Sequence, residues 1–387
     1  MTTFWGYRRP GGGAGTRNYI AVISTVACAN GVVNQIVSDI DNVVPIMHGH
    51  GCGRPGKDRS LHTKTLINWG KHPNAAAVLI VGLGCEGIKA EVIANEIAES
   101  GKRVEYFNIQ ESGGTLKSIE KGRTILHEML KDVNKIEKEP IAFYELTIGL
   151  QCGGSDGFSG VTANVIVGLF SDWLIKQGGT VILTENTEMI GASHILQKRA
   201  KNSITANDIK EMIGRAELRS IQLLGKNAIR AISPGNMDGG LSTIMEKSLG
   251  CIAKGGSTTI NEVVSYADIP REKGLILMDG PGYDMESATG IVAGGAQIIL
   301  FTTGRGTPFG LPMVPVCKIA SNPVLYDKMV DDMDINAGKI LSGEATLESI
   351  RDELIKYVRE VASGQKTKAE INKQGILIYP YSAGPSL

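Results

Sequence analysis

Short apolar runs, each closed by a glycine-bearing loop and followed by an amphipathic stretch, recur along this chain and limit what it can fold into. Tyr19–Ser24, Ala77–Gly82, Leu146–Leu150, Thr180–Thr184, Leu275–Asp279 and Gln297–Thr302 read as strands. Ile88–Ser100, Thr115–Val133, Asn164–Gln177, Thr205–Leu224 and Leu347–Ser363 read as helices. Strands alternating with helices of this length predict βαβ units with right-handed crossovers, hence an α/β fold with a mostly parallel sheet flanked by helices. The polar stretch Lys131–Pro140 divides the chain. It predicts a smaller α/β domain over 1–135, entered through a glycine-rich segment, and a second α/β domain over 141–387. The more charged segment Ile195–Leu224 reads as an insertion or cap. The extreme N-terminus, with Gly11–Gly13 and Gly15, is expected to form no regular element and to wrap the surface or line a site.

Composition narrows the function classes. The 40 Lys+Arg balance the 40 Asp+Glu, which argues against a nucleic-acid or membrane-surface partner, since both select a basic excess. No apolar run reaches the roughly 18 residues of a membrane span, and the first residues lack the apolar stretch of a signal peptide. A cytoplasmic chain is expected. Its six cysteines are then thiols rather than disulfides. The 49 glycines far exceed the usual share of about 7%, yet they sit beside apolar runs, as loop glycines of a folded enzyme do.

In an open parallel sheet, ligands bind outside the carboxyl ends of the strands. The loops expected there carry Cys28; His48, His50 and Cys52; Cys85 and Glu86; Cys152, Ser155 and Asp156; Glu185 and Glu188; Tyr283 and Asp284; and Thr303 and Arg305. Four cysteines in four such loops point to a shared metal site. Soft sulfur ligands select iron or zinc over magnesium or calcium, and the lack of any Cys-x-x-Cys excludes a zinc ribbon. What remains is a site built from distant loops, either one iron with mixed ligands or a cluster on three cysteines with one iron open. Cys28, Cys52, Cys85, Glu86 and Cys152 are the candidate metal ligands, and His50 stands closer to Cys52 than His48 does. Arg305, framed by two glycines, suits a bidentate clamp on a carboxylate. Tyr283 and Asp284 could act as a proton donor and its orienter.

One segment points elsewhere. Gly82-Leu-Gly84-Cys-Glu-Gly87 follows an apolar strand, with Glu105 about twenty positions on, as a dinucleotide fingerprint requires. Against an NAD enzyme, Cys85 and Glu86 would lie where a pyrophosphate sits, and a carboxylate beside a phosphate is costly.

Gly6-Tyr-Arg, Gly15-Thr-Arg-Asn18-Tyr, Gly51-Cys-Gly53, His72-Pro-Asn74, Gly82-Leu-Gly-Cys-Glu86, Gln151-Cys-Gly-Gly-Ser-Asp156, Gly235-Asn, Lys254-Gly-Gly, Gly282-Tyr-Asp and Phe301-Thr-Thr-Gly-Arg-Gly306 occur in this order. Taken together they resemble the altronate/galactarate dehydratase family. The resemblance implies a lyase that removes water from a sugar acid to give a 2-keto-3-deoxy acid, with iron, or another divalent cation in its place. It also implies a variant Rossmann-like catalytic domain, a dimerisation domain before it, and a dimeric protein. In this reading His50 or Tyr283 is the acid or base, with Glu188 as a further candidate and Arg305 catalytic. Arg17, Ser155, Asp156, Asn236, Lys254 and Thr303 surround the substrate.

The chain departs from the pattern at Met237, where a lysine is expected, and at Val165, where a proline is expected. The family's N-terminal β-clip domain is not found before the glycine-rich segment, so that domain is expected to be either missing or supplied by a separate small β-clip subunit. The two-chain sulfolactate sulfo-lyase, which eliminates sulfite, is similar and sets the alternative activity. A non-catalytic scaffold subunit is the other reading.

Overall fold

The computed structural model describes residues 2–230 and 232–384. Its strands are β1 Thr3–Arg8, β2 Ala14–Gly15, β3 Tyr19–Ser24, β4 Val43–Ile46, β5 Ala75–Gly82, β6 Arg103–Asn108 and β7 Glu139–Ala142. The second half adds β8 Thr147–Cys152, β9 Thr180–Leu183, β10 Ile260–Ser265, β11 Gly274–Asp279, β12 Ile298–Thr303, β13 Val316–Ala320 and β14 Ile335–Asn336. The protein is α/β. A four-stranded sheet in the order β4-β3-β5-β6 precedes a seven-stranded sheet in the order β10-β11-β9-β8-β12-β13-β14. Every pairing in both sheets is parallel. β5, Ala-Ala-Ala-Val-Leu-Ile-Val-Gly, is buried along its whole length, the continuous apolar run of a strand covered on both faces.

The N-terminal segment differs from expectation. β1 pairs antiparallel with β2 on one side and with β7 on the other. Gly11–Gly13 therefore form the turn between two strands rather than a wandering loop, and Gly15 lies in β2 itself. The pairing also draws Glu139–Ala142, which begins within the end of the polar stretch, into a small sheet with the first residues of the chain.

The two larger sheets share one core. Ile23, Val78 and Ile80 of the smaller sheet belong to the same buried cluster as Ile276, Met278, Ile299 and Phe301 of the larger. Trp69 on the helix Gly56–Lys71 packs there, its indole N–H donating to Thr289 O at 3.0 Å. The helix Asp284–Ala293 reaches β8 closely because Gly149 has no side chain; a Cβ there would lie 2.3 Å from Ile291 Cγ2. At the far end, Leu347–Ala362 starts in a capping box of Thr346 and Ser349 and buries Ile350, Leu354, Val358 and Val361. No helix of the described residues is long and apolar enough to cross a membrane.

In the larger sheet, β9 lies on one side of β8 and β12 on the other. Chain direction across the sheet therefore reverses beside β8, and a crevice forms outside the carboxyl ends at such a point.

Candidate active site

A cleft of about 1060 Å³ opens at that reversal, walled by the loops after β8, β9 and β11 and by the helix Ser203–Leu224. Its floor is a buried charged cluster. Glu185, with φ 69°, follows β9 and points its carboxylate back to β8. It accepts from Gln151 Nε2 at 2.6 Å, from the Cys152 amide at 3.0 Å and from Lys254 Nζ at 3.2 Å. Glu188, one turn on, accepts from the Cys152 thiol at 2.6 Å and lies against the Lys247 ammonium. Lys254 stands 3.9 Å from it. Gln151 is fixed in turn by Ser287 Oγ at 2.7 Å.

This floor pushes two carboxylates apart. Burial and the neighbouring Glu188 charge drive the Glu185 carboxyl well up. Burial also opposes charge on Glu188, but Lys247 and Lys254 outweigh it and hold that carboxyl down. Split environments of this kind mark acid and base roles. Asp284, at the start of its helix, is pushed up to about 6 by burial and by Glu188. It therefore exchanges protons near neutral pH. Tyr283 beside it is 56% exposed at the cleft wall, and partial desolvation together with Tyr379 raises its phenol, so it stays protonated.

Cys152 meets Cys251 of the helix Ile244–Ile252, Sγ to Sγ 3.3 Å. Burial and Cys251 push the Cys152 thiol well up. Among the described residues, Cys152, Glu188 and Cys251 are the one group of three whose ligating atoms lie within 4.8 Å of one another. Two thiols and a carboxylate at this spacing fit a thiophilic divalent ion such as iron or zinc.

The expected single site separates into parts. Tyr283, Glu188 and Asn236 line the cleft, and Lys254 lies in its floor. Ser155 follows, its amide donating to Asn236 Oδ1 at 2.8 Å. Arg305 is exposed, its stem packed against Gly154 on the cleft wall. Thr303 braces that loop, accepting the amides of Arg305 and Gly306 at 3.2 and 2.9 Å. Asp156 is fully engaged in structure, accepting from Ser159, Ser321 and Asn322.

Arg17 does not reach the cleft. All its donors are taken by Glu370 at 2.7 and 2.8 Å and by the carbonyls of Thr16, Val361 and Gln365. Cys28, Cys52 and Cys85 lie apart from Cys152, on the loops after β3, β4 and β5 of the smaller sheet. His50 is with them, its ring stacked on His62 at 4.8 Å. Glu86 is no open ligand: it accepts from Thr25 Oγ1 at 2.6 Å and from the amides of Leu83 and Gly84 at 3.1 and 2.7 Å. Those are the amides a pyrophosphate would need, and the next helix begins only at Ala90.

Sequence reasoning did not select Glu185, Lys247, Gln151 and Cys251. Glu185 carried a signal, sharing a strand-end loop with Glu188. Gln151 and Cys251 could have been drawn from their places before Cys152 and Lys254. Lys247 sits mid-helix and carried none.

Comparison with known proteins follows the same division. The sequence profile described as D-galactarate/altronate dehydratase, C-terminal, matches residues 143–383. The profile described as D-galactarate dehydratase/altronate hydrolase, second domain, matches residues 6–134. Altronate dehydratase of Bacillus subtilis (strain 168) is 39% identical over 388 residues, covering 96% of this chain and 76% of that protein. Galactarate dehydratase (L-threo-forming) of Escherichia coli K12 is 36% identical over 391 residues, covering 94% and 73%. The (2R)-sulfolactate sulfo-lyase subunit beta of Chromohalobacter salexigens is 32% identical over 374 residues, covering 95% and 94%. The chain belongs to the galactarate/altronate dehydratase family.

Proposed function

We propose that this chain is a hydro-lyase that dehydrates an aldonic or aldaric acid of the altronate or galactarate type to a 2-keto-3-deoxy acid, in the cleft beside β8. The observation that carries the reading is the buried set of opposed carboxylates and ammoniums at the strand ends, in a chain whose relatives are named altronate and galactarate dehydratases. Iron is the proposed metal, held by Cys152, Glu188 and Cys251, and when bound it supplies Lewis acidity toward the substrate carboxylate and a hydroxyl.

The chain's own groups do the rest. Lys247 and Arg305 hold the substrate carboxylate, with Asn236 beside it. Asp284 takes the proton from C2, leaving an enediolate whose charge faces the Lys247 ammonium. Tyr283 gives its proton to the C3 hydroxyl, which departs as water. The enol then gains a proton at C3 and loses one from its C2 hydroxyl, and Asp284 returns its proton through solvent to the Tyr283 phenolate. Glu188 keeps Lys247 in place, and Glu185 does so for Lys254. Asp156 and Thr303 shape the loops that carry Ser155 and Arg305.

A cytoplasmic homodimer, working with a small β-clip subunit, completes the proposal. The name "subunit beta" of a relative matched over 94% of its length supports the separate subunit.

Reaction in deuterium oxide tests the chemistry. The expected keto acid carries one solvent deuterium at C3, and D284N and Y283F lose turnover. A product whose C3 hydrogen came from the substrate's C2 would overturn the base assignment.

A further inference from the structure

We infer that Cys28, Cys52 and Cys85 hold an iron–sulfur cluster at the carboxyl edge of the smaller sheet, separate from the cleft. Free cysteine is among the most buried residue types, and Cys152, Cys251 and Cys317 obey that rule while these three thiols are exposed. They stand on the loops after three adjacent strands, β4, β3 and β5. The coincidence of exposure and adjacency calls for a ligand.

The loops are fastened to one another before any metal arrives. The Ala27 amide donates to His50 O at 2.8 Å, tying the Cys28 loop to the Cys52 loop. Thr25 Oγ1 donates to Glu86 at 2.6 Å, tying it to the Cys85 loop. Gly51, at φ 114°, sits so close that a Cβ there would lie 2.4 Å from Thr25 O. Gly53 and Gly84, next to Cys52 and Cys85, are also left-handed, at φ 65° and 125°. Preformed loops of this kind present ligands without much ordering cost.

The donor set selects the ligand. Three thiolates favour iron, zinc or an iron–sulfur cluster over hard cations. One ion would draw its sulfurs to about 4 Å of one another, given metal–sulfur bonds of about 2.3 Å. No such trio forms here within 4.8 Å among the described residues. A cluster, in which each thiolate binds a different iron, spans the wider arrangement. Each thiol would give up its proton on ligating, and a four-iron cluster held by three cysteines would have one iron without a thiolate.

The test reads the cluster itself, so its outcome is independent of the dehydratase reading. The full chain is reconstituted without oxygen using equal ferrous and ferric iron with sulfide, desalted, and assayed for iron, acid-labile sulfide, visible absorbance and electron paramagnetic resonance after reduction. The wild type is expected to retain labile sulfide and a thiolate-to-iron absorption band. C28S, C52S and C85S are each expected to lose both, with far-ultraviolet dichroism unchanged. C317A and C152S are expected to keep them. Wild-type protein without labile sulfide, or loss in C152S but not in the three exposed variants, would overturn the assignment.

Discussion

Arg17 gives the sharpest contrast between a substrate ligand and a structural clasp. Its guanidinium is 6% exposed and faces Glu370, 13% exposed, joining the N-terminal segment to the C-terminal helices. Burial works against its charge, but Glu370 outweighs that and raises the guanidinium further. R17M would leave the Glu370 carboxylate without its cation and take the guanidinium away from the carbonyls of Thr16 and Gln365, while Val361 O keeps the Gly364 amide. Breaking a buried pair from one side costs about 3–5 kcal/mol. At 3 kcal/mol that lowers Tm by roughly 6–12 °C for a domain of this size. R17K keeps the charge, but an ammonium cannot copy the five-donor fork, so it should fall between. Scanning calorimetry or thermal-shift measurement reads the loss, and KM per folded molecule should stay within about twofold by the same reasoning. A tenfold rise in KM with Tm unchanged would refute the clasp and return Arg17 to the substrate.

Three further outcomes follow from the buried charges. Asp284 is ionised above about 6, so as the base it predicts kcat rising with pH through that value. D284N should remove the limb and lower kcat by about 10²–10⁴, whereas a flat profile between pH 5 and 7 would contradict it. The neutral His72 ring donates from Nε2 to Ala296 O at 2.9 Å and accepts the Asn74 amide on Nδ1 at 3.1 Å, and burial lowers it to about 3. The unfolded chain therefore takes up a proton that the folded chain refuses between about 6.5 and 3, and stability is lost as pH is lowered through that window, by up to about 1.4 kcal/mol per unit. Denaturant titrations showing under about 0.5 kcal/mol per unit between pH 6.5 and 5 would contradict this. K254M should cost about 3–5 kcal/mol and E185Q/K254M much less, and a double-mutant cycle with no coupling would remove Lys254 from the floor.

Periodicity made the α/β class legible, with the six strands β3, β5, β8, β9, β11 and β12, but not β4, β6, β10, β13 and β14. β3 falls on the run read from Tyr19 to Ser24, and the helix Thr115–Val133 ends where its apolar stripe ends. The short strands β1, β2 and β7 escaped because their pairing is a long-range event: Phe4 meets Ile141, far along the chain, and no local pattern encodes that partner. The site was legible by loop, since strand ends could be named, but not by sheet. Cys28 and Cys152 both follow strands, and nothing local says that those strands belong to different sheets. The role of Arg17 is hard to read for a related reason: a charged residue in a glycine-rich segment looks the same whether its partner is a substrate or Glu370.

Product identity decides between dehydration and sulfite release. The full chain, loaded anaerobically with ferrous iron and supplied with a candidate β-clip subunit, is given altronate, galactarate and sulfolactate, and the products are identified by mass spectrometry. A 2-keto-3-deoxy acid lighter than its sugar acid by one water is expected. Release of sulfite from sulfolactate with no dehydration of either sugar acid would contradict the dehydratase reading.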